Sequence, residues 1–291
     1  MSPFSGYRLA VAFTVASSAS ALALAAQSGD GGATHGPRIA TGVTVGSLRY
    51  AGGRTEDAAS ALLKFRLSQG WSASVEPTFA RATEPAAGLY AASSNSGLTD
   101  LPLSLEYERG FAGRFTPSIG LSFAATLPVG NAATGFGTGT VGTALGLGAG
   151  IAASDNLGVY ASAGRTLSSV AAQSAFNGGA SGWGDLAANY QMGARVSLLA
   201  GYSTDLGAAD STYGRGSSAS AGIAYALAGP FSLNVETSHG LSGATPQWSA
   251  VIGIGTAFGS LDGARQLRSA FGGGRHGLKQ NGSKGTSRRH A

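Results

Sequence analysis

The residue types that nucleophilic catalysis requires meet around His239. Ser238 and Ser242 flank this histidine, and Glu236 lies three residues before it. A serine hydrolase needs a Ser within hydrogen-bond reach of a His that a third group orients. Ser238 and His239 would point to opposite faces of an extended strand, so only Ser242 could meet the ring. The pattern leaves a hydrolase as an alternative and a histidine at the end of a strand or in a loop as the simpler interpretation.

A second set of residues that could bind or select solutes is charged. These residues fall on the polar positions of the alternating segments. If these side chains point into a pore, they either pair across strands and stiffen its wall, or set a field that orients polar solutes. Both interpretations stay open. The predicted lumen or selectivity residues are Lys64, Arg66, Glu76, Glu106, Glu108, Arg195 and Glu236.

Asp100 and Asp185 occupy equivalent places in two similar segments, Gly97-Leu-Thr-Asp100-Leu and Gly182-Trp-Gly-Asp185-Leu. We expect both at a loop-bearing rim, where a carboxylate either binds a cation, anchors a loop or caps a local turn. Gly137-Thr-Gly139-Thr-Val-Gly142 matches the dinucleotide-binding fingerprint, but a loop precedes it and a strand pattern follows, where that fingerprint needs a strand and then a helix. No cofactor is predicted. No metal site is predicted either, because the segment with strand pattern holds a single His and the chain has no Cys.

Alternation with a period of two is the dominant pattern from Ile39 to Phe258, and it is the period of a β-strand. Leu121 and Phe123 alternate with Ser122 and Ala124, for example. Such segments predict about twelve strands, near 39–50, 58–69, 71–82, 98–109, 115–127, 139–153, 157–166, 183–192, 194–204, 217–227, 231–240 and 247–258.

The lengths of these segments favour a membrane protein. Most are 10 to 13 residues long, whereas ordinary strands average about 5–6 residues and membrane-spanning strands need about 9–11. Short turns alternate with long loops, as in bacterial outer-membrane barrels. The charged fraction is 11%, against about 25% in soluble domains. The prediction is an all-β, antiparallel up-and-down transmembrane barrel; a β-solenoid or soluble sandwich is the alternative.

The ends of the chain differ from its middle. Residues 1–26 have the features of an export signal: Arg8, then an apolar run, then the segment Ala21-Leu-Ala-Leu-Ala-Ala26, which offers the small residues that signal peptidase requires. Residues 27–38 would form an N-terminal periplasmic segment, residues 39–258 the barrel, and residues 259–291 a disordered basic tail. The tail holds seven basic side chains against one acidic, which accounts for the net charge of +5. It carries no nucleic-acid-binding motif, so no nucleic-acid partner is predicted.

Two segments resemble a known family. Gly97-Leu-Thr-Asp100-Leu-Pro-Leu-Ser-Leu-Glu-Tyr107, and Leu127-Pro-Val-Gly-Asn131 followed by Gly135-Phe-Gly-Thr-Gly139, resemble motifs of outer-membrane transporters grouped with the MetA pathway of phenol degradation. A second copy of the opening starts at Gly182. The resemblance covers roughly residues 90–260. It implies an outer-membrane barrel that takes up small, including aromatic, compounds, whereas the basic tail departs from the family's usual ending.

The sequence therefore predicts a bacterial outer-membrane protein without enzymatic activity. Its predicted function is passive passage of small, aromatic or amphipathic solutes. The alternatives are an outer-membrane lipid hydrolase using His239 and a non-conducting structural or adhesive barrel. The predicted partners are outer-membrane lipid, the barrel-assembly machinery and a small-molecule solute, and the oligomeric state is left open.

Overall fold

The computed structural model describes residues 39–256, apart from residues 69, 87–90, 112–114, 116, 135, 168–181, 207–215, 229–230 and 243–244. These residues form β-strands and one short 3-10 helix, Ala132–Thr134. Among them, no helix is long and apolar enough to cross a membrane. The strand segments are β1 Ile39–Arg49, β2 Thr55–Ser68, β3 Trp71–Val75, β4 Thr78–Glu84, β5 Ser93–Leu98, β6 Leu101–Gly110, β7 Ser118–Leu127, β8 Gly142–Ala152, β9 Leu157–Thr166, β10 Gly182–Met192, β11 Val196–Asp205, β12 Ser217–Ala226, β13 Phe231–Gly240 and β14 Trp248–Thr256.

The strands close into a barrel. All pairings are antiparallel, each strand follows its sequence neighbour around the wall, and β1 pairs with both β2 and β14. Two of the twelve wall positions hold interrupted strands. β3 and β4 are separated at Glu76-Pro77 and both pair with β2, whereas β5 and β6 are separated at Thr99-Asp100. Proline lacks the amide that a ladder requires, which accounts for the first interruption. The predicted twelve-strand barrel is thus confirmed.

Alternation along each strand separates an outer face from a lumen face. In β7, Ile119, Leu121 and Phe123 are exposed, while Ser118 and Ser122 on the opposite face are buried. A soluble barrel would place its large apolar residues inside, so this inverted pattern is that of a wall whose outside contacts hydrocarbon. The same outward apolar row runs along the other strands, and Leu147 of β8 is 65% exposed.

Short turns and longer connections lie at opposite rims. The short-turn rim carries the β2–β3, β6–β7, β8–β9, β10–β11 and β12–β13 connections, and Gly70 and Gly193 take positive φ angles of 82° and 72° there. The long-loop rim carries the others, including residues 128–141. Connection 50–54 is shorter than the predicted 51–57, since β2 begins at Thr55. The predicted signal segment 1–26, periplasmic segment 27–38 and tail 259–291 lie outside the described residues.

Candidate functional site

The lumen face is lined by small and polar side chains. Glycines occupy the inward positions of β8 at Gly142, Gly146, Gly148 and Gly150, next to exposed outward leucines. Serines recur on the inward positions of β3, β6 and β7, where Ser74 and Ser104 hydrogen-bond each other at 2.7 Å. A wall built this way offers hydrogen-bonding groups on its inner face and small residues along β8.

The predicted charged set contains one close ion pair. Lys64 of β2 donates from Nζ to Glu106 Oε2 of β6 at 2.6 Å, across β3. Glu106 is 5% exposed and also accepts a hydrogen bond from Ser104 Oγ at 3.0 Å. Because both charges are buried, each depends on the other for compensation. The pairing across three neighbouring strands that the sequence left open is present at this point.

The remaining members of the predicted set are spread around the wall. Arg66, Glu108 and Glu236 occupy inward positions of β2, β6 and β13. Glu76 lies at the interruption between β3 and β4, beside Ser60. Arg195 does not lie on a strand as predicted: it belongs to the tight turn 193–195, because Gly193 turns the chain and β11 begins at Val196.

Residues that are paired across neighbouring strands form rows that run around the lumen face. Two adjacent rows carry four of its carboxylates. Each row begins with a β6 carboxylate, crosses small residues of β7, β8 and β9, and reaches β10 and β11. We call Gly120, Gly146, Gly148 and Gly164 the glycine floor. The first row is Glu108, Gly120, Gly148, Ser162, Asp185 and Ser203. The second row is Glu106, Ser122, Gly146, Gly164, Trp183 and Asp205.

Two aromatic residues beside the glycine floor were missed by the sequence reasoning. Trp183 is 5% exposed, and its indole lies so close over Gly164 that a Cβ there would overlap the ring. Its Nε1 is buried and has no hydrogen-bond partner among the described residues. Tyr160 of β9 is 2% exposed, and the carboxylates of Glu108, Asp185 and Glu106 all lie within electrostatic reach of its hydroxyl. Both aromatic residues occupy inward positions of the alternating pattern, as Asp185 and Ser162 do. This alternation was the signal in the sequence that could have identified them.

Asp185 belongs to the lumen wall rather than to the loops. It is the fourth residue of β10, and its Oδ2 accepts a hydrogen bond from Ser162 Oγ at 3.0 Å. Asp205 lies closer to the rim, where its Oδ2 accepts from the Gly216 amide at 3.1 Å. The β10–β11 side of the glycine floor therefore carries two carboxylates.

Asp100, in contrast, holds a loop. It is 3% exposed, and its carboxylate accepts hydrogen bonds from the Gly130 amide at 3.0 Å, the Thr138 amide at 2.7 Å and the Thr138 hydroxyl at 2.6 Å. Its own amide donates to the Phe136 carbonyl at 3.2 Å. Gly130 packs so tightly against the Thr99-Asp100 backbone that a Cβ would overlap it. The carboxylate thus joins the β5–β6 junction to both ends of the loop between β7 and β8.

A second charged cluster occupies the long-loop rim and was not predicted. Arg54 forms ion pairs with Glu56 at 3.0 Å and with Glu84 at 2.9 Å. The Tyr50 hydroxyl donates to Glu56 Oε2 at 3.3 Å. Burial of the ring and the nearby Glu56 carboxylate raise the pKa of Tyr50, so that the phenol keeps its proton and remains a donor. The cluster ties the β1–β2 turn to the end of β4.

Small polar side chains that face inward near the short-turn rim are fully covered. Asn189, Ser197 and Ser232 face inward near the short-turn ends of β10, β11 and β13, and each is 0% exposed. Ser118 of β7 is 2% exposed at the same end. Because a wide aqueous pore would leave such small side chains accessible, other atoms cover them at this level.

His239 does not meet a serine. It lies on the outward face of β13, where its ring packs against that of Trp248 with centroids 4.3 Å apart and a tilt of 40°. Its Nδ1 contacts the Gln247 carbonyl at 2.6 Å. Ser238 faces inward and bonds Ser249 at 2.6 Å, while the Ser242 hydroxyl accepts from the Ser217 amide at 3.0 Å. In the described part of the chain, no three His, Cys, Asp or Glu side chains are placed to hold a metal ion.

Comparisons with known proteins identify the fold. No family model matches the chain, and no curated protein sequence matches it either. Among solved structures, an outer-membrane channel from Pseudomonas putida F1 is similar at a TM-score of 0.56 and 13% identity, over 78% of this chain and 98% of that one. The NanC porin is similar at a TM-score of 0.51 and 12% identity, over 75% and 99% of the two chains. At these identities the likeness shows a shared barrel fold.

Proposed function

We propose that the protein is a channel of the bacterial outer membrane that lets small solutes pass through its lumen. The observation that carries this proposal is that the outer face of the barrel wall is apolar while its inner face is polar. β8 shows it residue by residue, since exposed Leu145 and Leu147 alternate with Gly146 and Gly148.

The similar solved structures support the proposal by their kind, since one is an outer-membrane channel and the other a porin. The complete burial of the inward-facing Asn189, Ser197 and Ser232 argues against a wide pore and so favours small solutes. The sequence resemblance to transporters of the MetA pathway of phenol degradation would add aromatic compounds to the solutes. That family assignment is part of this proposal, because no family model matches the chain.

Planar-bilayer recording with the full chain tests the channel. Gly148→Phe places a ring in the lumen, whereas Leu147→Phe, one residue away, places the same ring on the lipid face. We expect ion conductance from the wild type, a clear reduction in Gly148→Phe and none in Leu147→Phe. Absence of conductance in the wild type, or equal reduction in both variants, would contradict the proposal.

The hydrolase alternative has less support. His239 packs against Trp248 on the outer face, and Ser238 and Ser242 hydrogen-bond other groups. The direct check is esterase activity: a lipid hydrolase would show turnover that His239→Ala abolishes. We expect none in either protein.

A further inference from the structure

Two exposed arginines lie on the outer face of the wall at the long-loop rim. Arg49 is the last residue of β1, and Arg81 lies on β4, separated from β1 by β2. In the register, Arg49 is opposite Thr55 of β2 and Arg81 is opposite Asp57, the next outward residue of that strand. None of Arg49, Arg81 and Asp57 forms an ion pair with another described residue. This part of the outer face therefore carries a net positive charge.

Hydroxyl groups surround the more central of the two arginines. Arg81 Nε donates to Ser94 Oγ of β5 at 3.0 Å, and that hydroxyl lies 3.4 Å from Thr83 Oγ1. The contact fixes one N–H of the guanidinium, whose other four N–H groups belong to its terminal nitrogens. Arginine binds phosphate oxygens through such paired donors, and serine and threonine hydroxyls add further hydrogen bonds.

The outward face becomes apolar directly below these arginines. Phe79 lies two residues from Arg81 on β4 and is 51% exposed, and Val45 lies four residues from Arg49 on β1 and is 49% exposed. Trp248 of β14, opposite Arg49 in the register, is 55% exposed. Because tryptophan is enriched where a membrane meets water, Arg49 and Arg81 lie at the level of the lipid head groups.

A shallow groove on the outer face leads from the hydrocarbon region to the arginines. Its base is one row of paired outward residues with small side chains on six adjacent strands, namely Ala188, Ala200, Ala221, Thr237, Ala250 and Ser47. The outward rows on either side hold large exposed side chains apart from Ala219, for example Trp248 in one row and Ile223 in the other. The Thr237 hydroxyl donates to the Ser249 carbonyl at 2.8 Å, so it needs no partner from the lipid.

The groove rises towards the long-loop rim. Ala188 lies six residues from the long-loop end of β10 at Gly182, whereas Ser47 lies two residues from that end of β1. The row continues from Ser47 to Asp57 and then to Arg81. Adjacent outward rows are about 6.8 Å apart along the strands, so the groove is wide enough for one hydrocarbon chain.

We propose that this surface binds a lipid with a phosphorylated head group, which Arg49 and Arg81 hold while one acyl chain lies in the groove. Two strand spacings and an offset of two residues place the Cα atoms of the arginines about 12 Å apart, so a head group with two phosphates engages both. The longer loops of such barrels face the outside of the cell, which places the lipid in the outer leaflet. The site lies on the outer face and does not depend on the passage of solutes through the lumen.

Native mass spectrometry of the full chain in detergent measures this binding. The probes are diphosphoryl lipid A, monophosphoryl lipid A and phosphatidylcholine, whose head groups carry two phosphates, one phosphate and a zwitterion. We expect affinity to fall in that order. Each arginine near an anionic lipid surface contributes a factor of about 5 in affinity, so Arg49→Gln/Arg81→Gln should weaken the binding of diphosphoryl lipid A by about 25-fold.

Matched variants separate charge and groove from general effects of substitution. Arg109→Gln is the control for charge, because Arg109 is an exposed arginine at the short-turn end of β6, and it should leave the affinity unchanged. Asp57→Asn removes the negative charge between the two arginines and should raise the affinity. Ala221→Phe fills the groove and should weaken binding, whereas Ala163→Phe, on the outward face of β9 outside the groove, should not.

Equal binding of diphosphoryl lipid A and phosphatidylcholine would overturn the proposal. So would an Arg49→Gln/Arg81→Gln variant that binds as tightly as Arg109→Gln, or full displacement of the lipid by millimolar inorganic phosphate, which would show an anion site without a lipid. Equal effects of Ala221→Phe and Ala163→Phe would overturn the groove. A wild type that does not conduct but shows the expected lipid preferences would overturn the channel and keep the lipid site, and a conducting wild type without them would do the reverse.

Discussion

The carboxylate of Asp100 is expected to control the stability of the loop formed by residues 128–141. Replacement of Asp100 by Asn keeps the size of the side chain but turns one oxygen into an NH2 group. Oδ1 can still accept from the Gly130 amide, whereas the group facing Thr138 becomes a donor opposite the donating Thr138 amide. The hydrogen bond from the Thr138 amide, at 2.7 Å, is therefore lost. The Thr138 hydroxyl can instead accept from the new NH2 group and donate to the Thr140 carbonyl.

The magnitude follows from the number and kind of bonds lost. A hydrogen bond to a charged group contributes about 1.5–3 kcal/mol, and one such bond is lost. We expect the free energy that holds the loop closed to fall by about 1.5–3 kcal/mol. Since about 1.4 kcal/mol corresponds to a factor of ten, the opening equilibrium constant of the loop should rise by roughly 10- to 150-fold.

Hydrogen–deuterium exchange followed by mass spectrometry measures this opening directly. Peptides covering residues 128–141 should exchange faster in Asp100→Asn by the factor given above, while peptides from β8 to β14 keep their protection. Asp155→Asn is the matched control, because Asp155 lies exposed in the short turn 153–156 at the other rim. Exchange of residues 128–141 within 3-fold of wild type would refute the assignment of Asp100 as the anchor of this loop.

Three further substitutions test the wall itself. For each one the measurement is the folded fraction as a function of urea concentration, in detergent or lipid. Lys64→Met leaves Glu106 buried without its cation and should cost about 3–5 kcal/mol, largely recovered when Glu106→Leu is added; no recovery would contradict the pair. Gly164→Ala should displace the indole of Trp183 and cost about 1–3 kcal/mol, with a shift in its emission; an unchanged spectrum would contradict the contact. Leu121→Arg puts a charge on the lipid face and should cost about 2–4 kcal/mol, and a neutral result would argue against a membrane exterior.

The strands were predictable because each of them separates lipid from the lumen, so that apolar residues alternate with small or polar ones. Ser122 faces the lumen and Phe123 faces lipid, so alternation survives along a span of about ten residues. This alternation stops where the wall leaves the membrane. Ser93–Leu98 forms β5 paired to β4, but its sequence is polar on both faces, and the predicted strand therefore began only at residue 98. Thr55 to Asp57 extend β2 for the same reason.

The sequence predicts which face of the wall each residue of the candidate site occupies, but it does not predict which of these side chains touch. Phase placed Lys64 and Glu106 on one surface, and only the register across β3 shows that the two side chains meet. The two rows that contain the glycine floor likewise become visible only from the pairing of β6 to β11. Asp100 could be a cation ligand, a loop anchor or a local cap from sequence alone, because its hydrogen-bond partners are 30 and 38 residues away.

The closure of the barrel means that the order of strands around the wall is cyclic. β1 and β14 share a ladder of eight residue pairs, and the Thr41 amide donates to Thr256 Oγ1 at 3.1 Å. Ile39 and Thr256 therefore lie at the same rim, close enough for a short peptide linker. A circularly permuted chain that joins these two positions and opens instead at the Gly193 turn would keep every pairing of the wall. In this architecture the order of the strands in the gene decides which strand comes first in the chain, but it does not change the pairings of the folded barrel.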